Sequence, residues 1–128
     1  MNILLKSELY TINNCVVQDN QIDSAIRITD THEIFEGHFP NQPVVPGVCM
    51  MEISKEIFQQ HFNRKIQLEH GGQTKFLQLL VPNNEALINV IIQHKPIIDS
   101  EIEKISLNVV WKHNEQIIFK LIGTYIYI

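Results

Sequence analysis

The chain predicts an α+β layer architecture, one buried helix set against a large antiparallel sheet. Three observations carry that expectation. Most of the chain alternates apolar and polar residues with a period of two. One segment alone, opened by Pro46-Gly47, carries apolar residues at helical spacing. The length of 128 residues, 45% apolar and 19% charged, is ordinary for one globular fold, so residues 1–128 are expected to form a single domain.

The first strand is expected over Leu9 to Val17. Asp19-Asn20-Gln21 turns the chain, and Ile22 to Thr29 returns with Ile22, Ser24, Ile26 and Ile28 on one face. Residues from Thr29 to Val45 are irregular. Proline is well placed in a first helical turn, so the helix opens at Pro46-Gly47. It runs to about Phe62, apolar over more than one stripe, and ends at Asn63-Arg64. Ile66 to Leu80 reads as a long strand with a bulge at Gly71-Gly72, followed by a turn at Pro82-Asn83-Asn84. Strands are then expected over Glu85 to Gln93 and Ile102 to Lys112, the latter with Ile105, Leu107, Val109 and Trp111 on one side. His113-Asn114-Glu115 is a short turn. The last strand, Ile117 to Ile128, is apolar on both faces, which predicts that a second subunit covers part of the sheet.

Composition removes several function classes. A net charge of −4 gives no global basic surface for nucleic acid. No apolar run reaches the roughly 18 residues that span a membrane, and Met1 to Lys6 is too short and too weakly basic for a signal peptide, so a cytoplasmic location is expected. Cys15 and Cys49 form no CxxC pattern and read as small core hydrophobes. His32, His61, His70, His94 and His113 show no metal-ligand spacing, so no metal is expected.

The chemistry concentrates between His38 and Glu52. Pro40, Pro43 and Pro46 each fix φ near about −65° and stiffen the loop that carries His38. Glu52 lies among Val48, Cys49, Met50, Met51 and Ile53, where a carboxylate must be paired, desolvated or at work. A rigid histidine loop beside a half-buried carboxylate suits acid–base chemistry on a small apolar substrate.

The motif His38-Phe39-Pro40-x-x-Pro43-x-x-Pro46-Gly47-Val48-x-x-x-Glu52, preceded by Gly37, resembles the signature of the 3-hydroxyacyl-[acyl-carrier-protein] dehydratases of fatty acid synthesis. Lys75 to Pro82 resembles, more weakly, that family's strand before a Pro-Gly-Asp turn. The likeness spans roughly Glu33 to Pro82. It implies a hotdog fold, a long central helix wrapped by a five- to six-stranded antiparallel sheet. Four departures mark a divergent, short member serving a special acyl chain. The family's Pro-His-Arg-Tyr-Pro segment has no equivalent before Leu9. Cys49 stands where leucine is usual, Glu56 where glutamine is usual, and Pro82-Asn83-Asn84 replaces the Pro-Gly-Asp turn.

The resemblance implies dehydration of a (3R)-3-hydroxyacyl thioester to the trans-2-enoyl thioester, in fatty acid or related lipid or polyene synthesis. His38, with an ordinary pKa of about 6.5, takes the C2 proton, and Glu52 or a water it holds protonates the departing hydroxyl. The blander alternatives are a loop-capping His38 and a Glu52 ion-paired with Lys55. The N–H of Gly47 or Val48, at the positive end of the helix, holds the thioester carbonyl. Against that stands a Gly47 that only permits close helix–sheet packing. Pro46 and Phe39 complete the substrate-binding set, and Phe35, Phe58 and Phe76 are either tunnel lining or core. Glu56 could tune the acid, but solvation or pairing with Lys55 or Arg64 is the expectation. Cys49 lacks a basic neighbour for nucleophilic work.

No metal or organic cofactor is implied beyond the phosphopantetheine arm of the carrier. The expected partners are acyl carrier protein or a coenzyme A thioester, and a second copy of the chain. In the resembling family the histidine of one subunit meets the glutamate of the other, which implies a homodimer and allows a trimer of dimers. Carrier protein is acidic, and Arg64, Lys65 and Lys75 are the basic residues placed to meet it. Two rivals remain open at this point: a hotdog acyl thioesterase, which does without the His-Phe-Pro loop, and a non-catalytic carrier-binding subunit.

Overall fold

A computed structural model describes residues 2–37, 41–98 and 101–128. Nine elements follow one another: α1 (Ile3–Lys6), β1 (Tyr10–Gln18), β2 (Gln21–Ile28), the 3-10 turn η1 (Glu33–Glu36), α2 (Gly47–Phe62), β3 (Ile66–Phe76), β4 (Ile88–Ile97), β5 (Lys104–His113) and β6 (Gln116–Tyr127). The six strands form one antiparallel sheet in the order β1-β2-β4-β5-β6-β3. The sheet carries α2 on its inner face, so the α+β expectation of a long helix wrapped by strands holds.

Helix α2 starts where expected, with Pro46 extended at its N-cap, and stops at Asn63, which adopts the left-handed conformation at φ 52°. Asparagine tolerates that region better than a branched residue would, so it ends the helix cleanly. Met50, Ile53, Ile57 and Phe58 face the sheet, and Cys49 widens the buried stripe. The opposing layer is the inward row of each strand: Ile22, Ile26, Val90, Ile92, Leu107, Val109, Trp111, Phe119 and Leu121 are all fully buried. Trp111 brings a polar N–H into this core. It donates to Ser54 Oγ at 2.9 Å, and Ser54 donates in turn to the Met50 carbonyl at 2.8 Å. A buried indole needs such a partner.

The expected faces of β2 and β5 are the observed ones: Ile22, Ser24, Ile26 and Ile28 are buried, as are Ile105, Leu107, Val109 and Trp111. The register of β3 on β6 slips between Leu68 and His70 and again between Gly71 and Gln73, which is the expected bulge. The β5–β6 turn has Asn114 at φ 50° and Glu115 at φ 68°, a double left-handed turn that matches the twist of a hairpin.

Several expectations are corrected. Strand β3 ends at Phe76 rather than Leu80. From there the Leu77 and Gln78 N–H groups both donate to the Ile118 carbonyl, and Val45 N–H donates to the Leu80 carbonyl, so the segment becomes a strap pinned to its neighbours. Strand β4 runs over Ile88–Ile97, later than Glu85 to Gln93. Cys15 is exposed, not a core residue, because β1 is an edge strand with a largely solvated burial pattern; Cys49 is buried as expected. On β6 the outward row is Lys120, Ile122, Thr124 and Ile126, with Lys120 and Ile122 exposed, so the strand is not apolar on both faces. Helix α1 has no counterpart in the sequence reading. Among the described residues no helix is long and apolar enough to cross a membrane.

Candidate active site

The first turn of α2 forms one wall of the site. The Pro46 carbonyl accepts from the Cys49 and Met50 N–H groups at 3.0 and 3.2 Å. Among the described residues the Gly47 and Val48 N–H groups have no acceptor, as the geometry of a helix start requires. They lie at the positive end of the helix dipole. Gly47 is sterically constrained as well. A Cβ there would come within 2.5 Å of the Phe76 ring, which itself stacks on Phe119 at 5.1 Å. Close packing and an open N–H are therefore properties of the same glycine, not alternatives.

One turn further, Glu52 projects into an open cleft of about 410 Å³, walled by Val48, Met51, Leu68 and Tyr125. Val48 and Glu52 are four residues apart and share a helix face. Val48 is 73% exposed, an unusual state for a valine in the middle of a motif. Lys55 Nζ lies 2.8 Å from Glu52 Oε2, so the ion pair of the blander alternative does form. That oxygen is shielded from solvent, yet no hydrogen bond of proper direction reaches it among the described residues. Glu52 is thus held by the Lys55 ammonium, and no other donor reaches that oxygen among the described residues. Its field is felt nearby: burial first, and then the Glu52 charge, push the Tyr125 hydroxyl up to about 12 and raise the Cys49 thiol. Both neighbours stay protonated at neutral pH, and a thiolate at Cys49 is disfavoured.

Glu56, next along the helix, is the main correction. It is neither solvated nor paired with Lys55 or Arg64, but fully buried. Its two oxygens accept from the Leu4 and Leu5 N–H groups at 2.9 Å each and from the Tyr10 hydroxyl at 3.1 Å. Asn2 gives α1 no side-chain cap, and Glu56 supplies one from across the fold. Burial, then the Glu56 charge and hydrogen bond, raise the Tyr10 pKa well above its ordinary value. Asn2 instead ties α1 to α2 through Gln59 and Gln60.

Helix α1 also reaches the loop ahead of His38. Ser7 donates to the Leu4 carbonyl at 3.0 Å and lies 3.2 Å from His32 Nε2. His32 Nδ1 accepts from the Ile34 N–H at 3.0 Å, capping η1. With Nδ1 accepting, the neutral ring carries its proton on Nε2, directed at Ser7. A continuous hydrogen-bonded path therefore runs from Glu56 through α1 to η1, whose last residues precede Gly37.

Of the residues that the sequence singled out, Pro46, Gly47, Val48 and Glu52 come together on the opening turns of α2. His38, Phe39 and Pro40 lie outside the described residues. Phe35 and Phe58 are core, whereas Phe76 is half-exposed over Gly47. Arg64 is engaged in a double contact with Glu103 at 2.9 and 3.0 Å and sits over the Tyr127 ring, so it is not a free docking cation. Tyr125 and Lys55 were missed as cleft residues. The inward alternation Leu121, Gly123, Tyr125 on the last strand was the signal for the first. Among the described residues no three His, Cys, Asp or Glu side chains converge as metal ligands would.

The match to known proteins agrees with this geometry. The 3-hydroxyacyl-[acyl-carrier-protein] dehydratase FabZ of Ehrlichia ruminantium (strain Gardel) is 32% identical over 89 residues, which are 59% of this chain and 59% of that protein. The corresponding protein of Lactococcus lactis subsp. cremoris (strain SK11) is 44% identical over 36 residues, 28% of this chain and 25% of that protein. These relatives are thus matched over a quarter to about three fifths of their length. Among solved structures, the dehydratase heterocomplex ApeI:P from Xenorhabdus doucetiae superposes with a TM-score of 0.74 at 16% identity, covering 91% of this chain and 96% of that one, a likeness of fold. The family described as ApeI dehydratase is matched over residues 14–110, more than half of the chain. On that match the chain belongs to the ApeI-like dehydratase family.

Proposed function

We propose that the protein removes water from a 3-hydroxyacyl thioester borne on a phosphopantetheine carrier. The observation that carries the proposal is Glu52. A carboxylate with one partner, the Lys55 ammonium, lines a largely apolar cleft, one turn from a helix start whose first two N–H groups have no acceptor among the described residues. The substrate's thioester carbonyl accepts from the Gly47 or Val48 N–H. His38 takes the C2 proton as negative charge moves onto that carbonyl oxygen, where the N–H groups and the helix dipole stabilise it. Glu52, or a water it holds, delivers a proton to the C3 hydroxyl. The C3–O bond breaks, water leaves, and the electron pair from C2 becomes the double bond. Proton return from His38 to Glu52 through solvent resets the pair.

The active form in this reading is a dimer of two such folds. Strand β3 is an edge strand, exposed along nearly its whole length, with its far side unpaired among the described residues. A long open edge of this kind is a template for a further strand. Exposed Val48, Phe76 and Leu79 beside it supply apolar area that a second subunit would bury.

The test is hydration of a crotonyl thioester and of a longer 2-enoyl analogue by the wild-type protein, beside His38→Ala and Glu52→Gln. Turnover that collapses in both variants supports the pair. Release of the free thiol from either thioester, persisting without His38, would move the assignment to carboxylate-activated thioester hydrolysis. Absence of wild-type turnover on both thioesters would favour a non-catalytic carrier-binding role.

A further inference from the structure

The outer face of the sheet, remote from α2, carries a feature that the site above does not use. Lys75 on β3 is placed directly opposite Lys120 on β6. Side chains so paired stand about 5 Å apart at Cβ, and like charges there repel. Lys112 on β5 projects from the same face, and all three lysines line one depression of about 340 Å³. Its floor is aliphatic, formed by Ile91, Val110 and Ile122, and the Gln93 and Asn108 amides close one side. None of the three lysines takes part in an ion pair among the described residues, and no carboxylate lines the depression. In a chain of net charge −4, three unneutralised ammonium groups around one hollow are a local reversal of sign.

The position of this hollow is as informative as its charge. Lys75 immediately precedes Phe76, whose ring lies on Gly47 from the other face of the strand. The lysines therefore stand behind the helix start, at the same end of the sheet. In the proposed pose, with the carbonyl at Gly47 and C3 at Glu52, the carrier arm leaves past the helix start, toward the end of the sheet that carries the lysines.

We infer that Lys75, Lys112 and Lys120 form a phosphate site for the pantetheine-type carrier of the acyl group. This rests on the reading of the protein as acting on carrier-borne thioesters. The phosphate belongs either to the phosphopantetheine arm itself or to the nucleotide end of coenzyme A. Opposed lysines are held in place because the ligand's charge removes their repulsion, and ammonium–phosphate contacts are strong, charge-assisted hydrogen bonds.

The test is a calorimetric titration of phosphopantetheine, pantetheine and ADP into the wild-type protein and into the double variant Lys75→Gln/Lys120→Gln. The two lysines are exposed and their mutual repulsion is lost, so the double variant keeps or raises its melting temperature. The expected result is that a phosphorylated probe binds at least about tenfold more tightly than pantetheine, and that the variant and added salt erase the preference. Competition by ADP assigns the site to the nucleotide end of coenzyme A. Binding of phosphopantetheine unaffected by ADP assigns it to the arm. Equal binding of phosphorylated and unphosphorylated probes, or an intact preference in the double variant, overturns the inference. A phosphate preference in a protein with no dehydratase turnover would sink the proposed reaction alone. Turnover with no phosphate preference would sink this site alone.

Discussion

Glu52 and Glu56 are the same residue type, one helical turn apart on the same helix, and they meet opposite surroundings. Glu56 is sealed, with three donors on its two oxygens. Glu52 faces a cleft, with one lysine charge beside it and no directed hydrogen bond. The Glu56 oxygens are closed off by their donors, whereas Glu52 lines a cleft that a ligand can enter. The pair shows that position along a helix does not decide chemistry. The number and direction of donors aimed at the oxygens does. The same contrast separates two stretches of α2: its first two N–H groups have no acceptor among the described residues, whereas the buried side chains of Ser54, Glu56 and Gln59 are all hydrogen-bonded.

The largest expected effect breaks the open half of that contrast. Glu52→Gln lowers turnover by about 10²- to 10⁴-fold, while the urea unfolding midpoint stays unchanged or rises; a midpoint that falls with activity would make Glu52 structural. Glu56→Ala acts the other way. It leaves the Leu4 and Leu5 N–H groups and the Tyr10 hydroxyl without an acceptor, and stability falls by about 3 kcal/mol or more. Glu56→Gln is no rescue, since its amide NH₂ then faces a backbone donor. Chemical denaturation of both variants checks this, and a Glu56→Gln protein as stable as wild type would refute it.

Smaller effects sharpen the same contrast. Gly47→Ala forces the Phe76 ring aside and destabilises by about 1–3 kcal/mol. A double-mutant cycle with Phe76→Ala should recover much of that loss, and strict additivity would count against the contact. Ser54→Ala strands the Trp111 indole N–H in the core, a loss of about 1–2 kcal/mol read from thermal unfolding. His94 supplies a mild pH dependence. Burial, helped by the nearby His61 charge, holds its pKa below the ordinary value. The unfolded chain then binds the proton more readily, so this contribution to stability is whole above about pH 6.5 and is lost as pH falls from there through the lowered value. His94→Gln should flatten the acid limb of the stability curve; a wild-type slope in that variant would assign the limb to other groups.

Much of the scaffold was legible from residues that act locally. Pro46, Gly47 and Asn63 bracket α2 because their backbone preferences decide where a helix opens and closes. The alternation in β2 and β5 was readable because one face is wholly core. Strand β1 misled at Cys15 because an edge strand buries too little to enforce a pattern. Helix α1 was invisible because four residues cannot nucleate a helix on their own, and the side chain that caps it lies more than fifty residues away. Glu56 was misread for the same reason: its partners are backbone groups of a segment with no helical signature. In the candidate site, Glu52 and the Gly47 turn stood out as a motif. Lys55 was legible only as the ion-pair partner of the blander alternative, and Tyr125 was not legible as a cleft residue, since it arrives by sheet topology.

The sheet order sets a timetable for synthesis. Strand β3 is made directly after α2 but, among the described residues, pairs only with β6, the last of the six strands in chain order. As the chain leaves the ribosome, an apolar helix and an unpaired strand therefore wait through two further strands before anything covers them. Such non-local pairing folds slowly and leaves sticky surface open in the interval. Loss of β6 would strip β3 of its neighbour and leave β5 as a raw edge, undoing both ends of the cradle around α2. The interval before β6 is made is thus the one in which this fold is most open to aggregation.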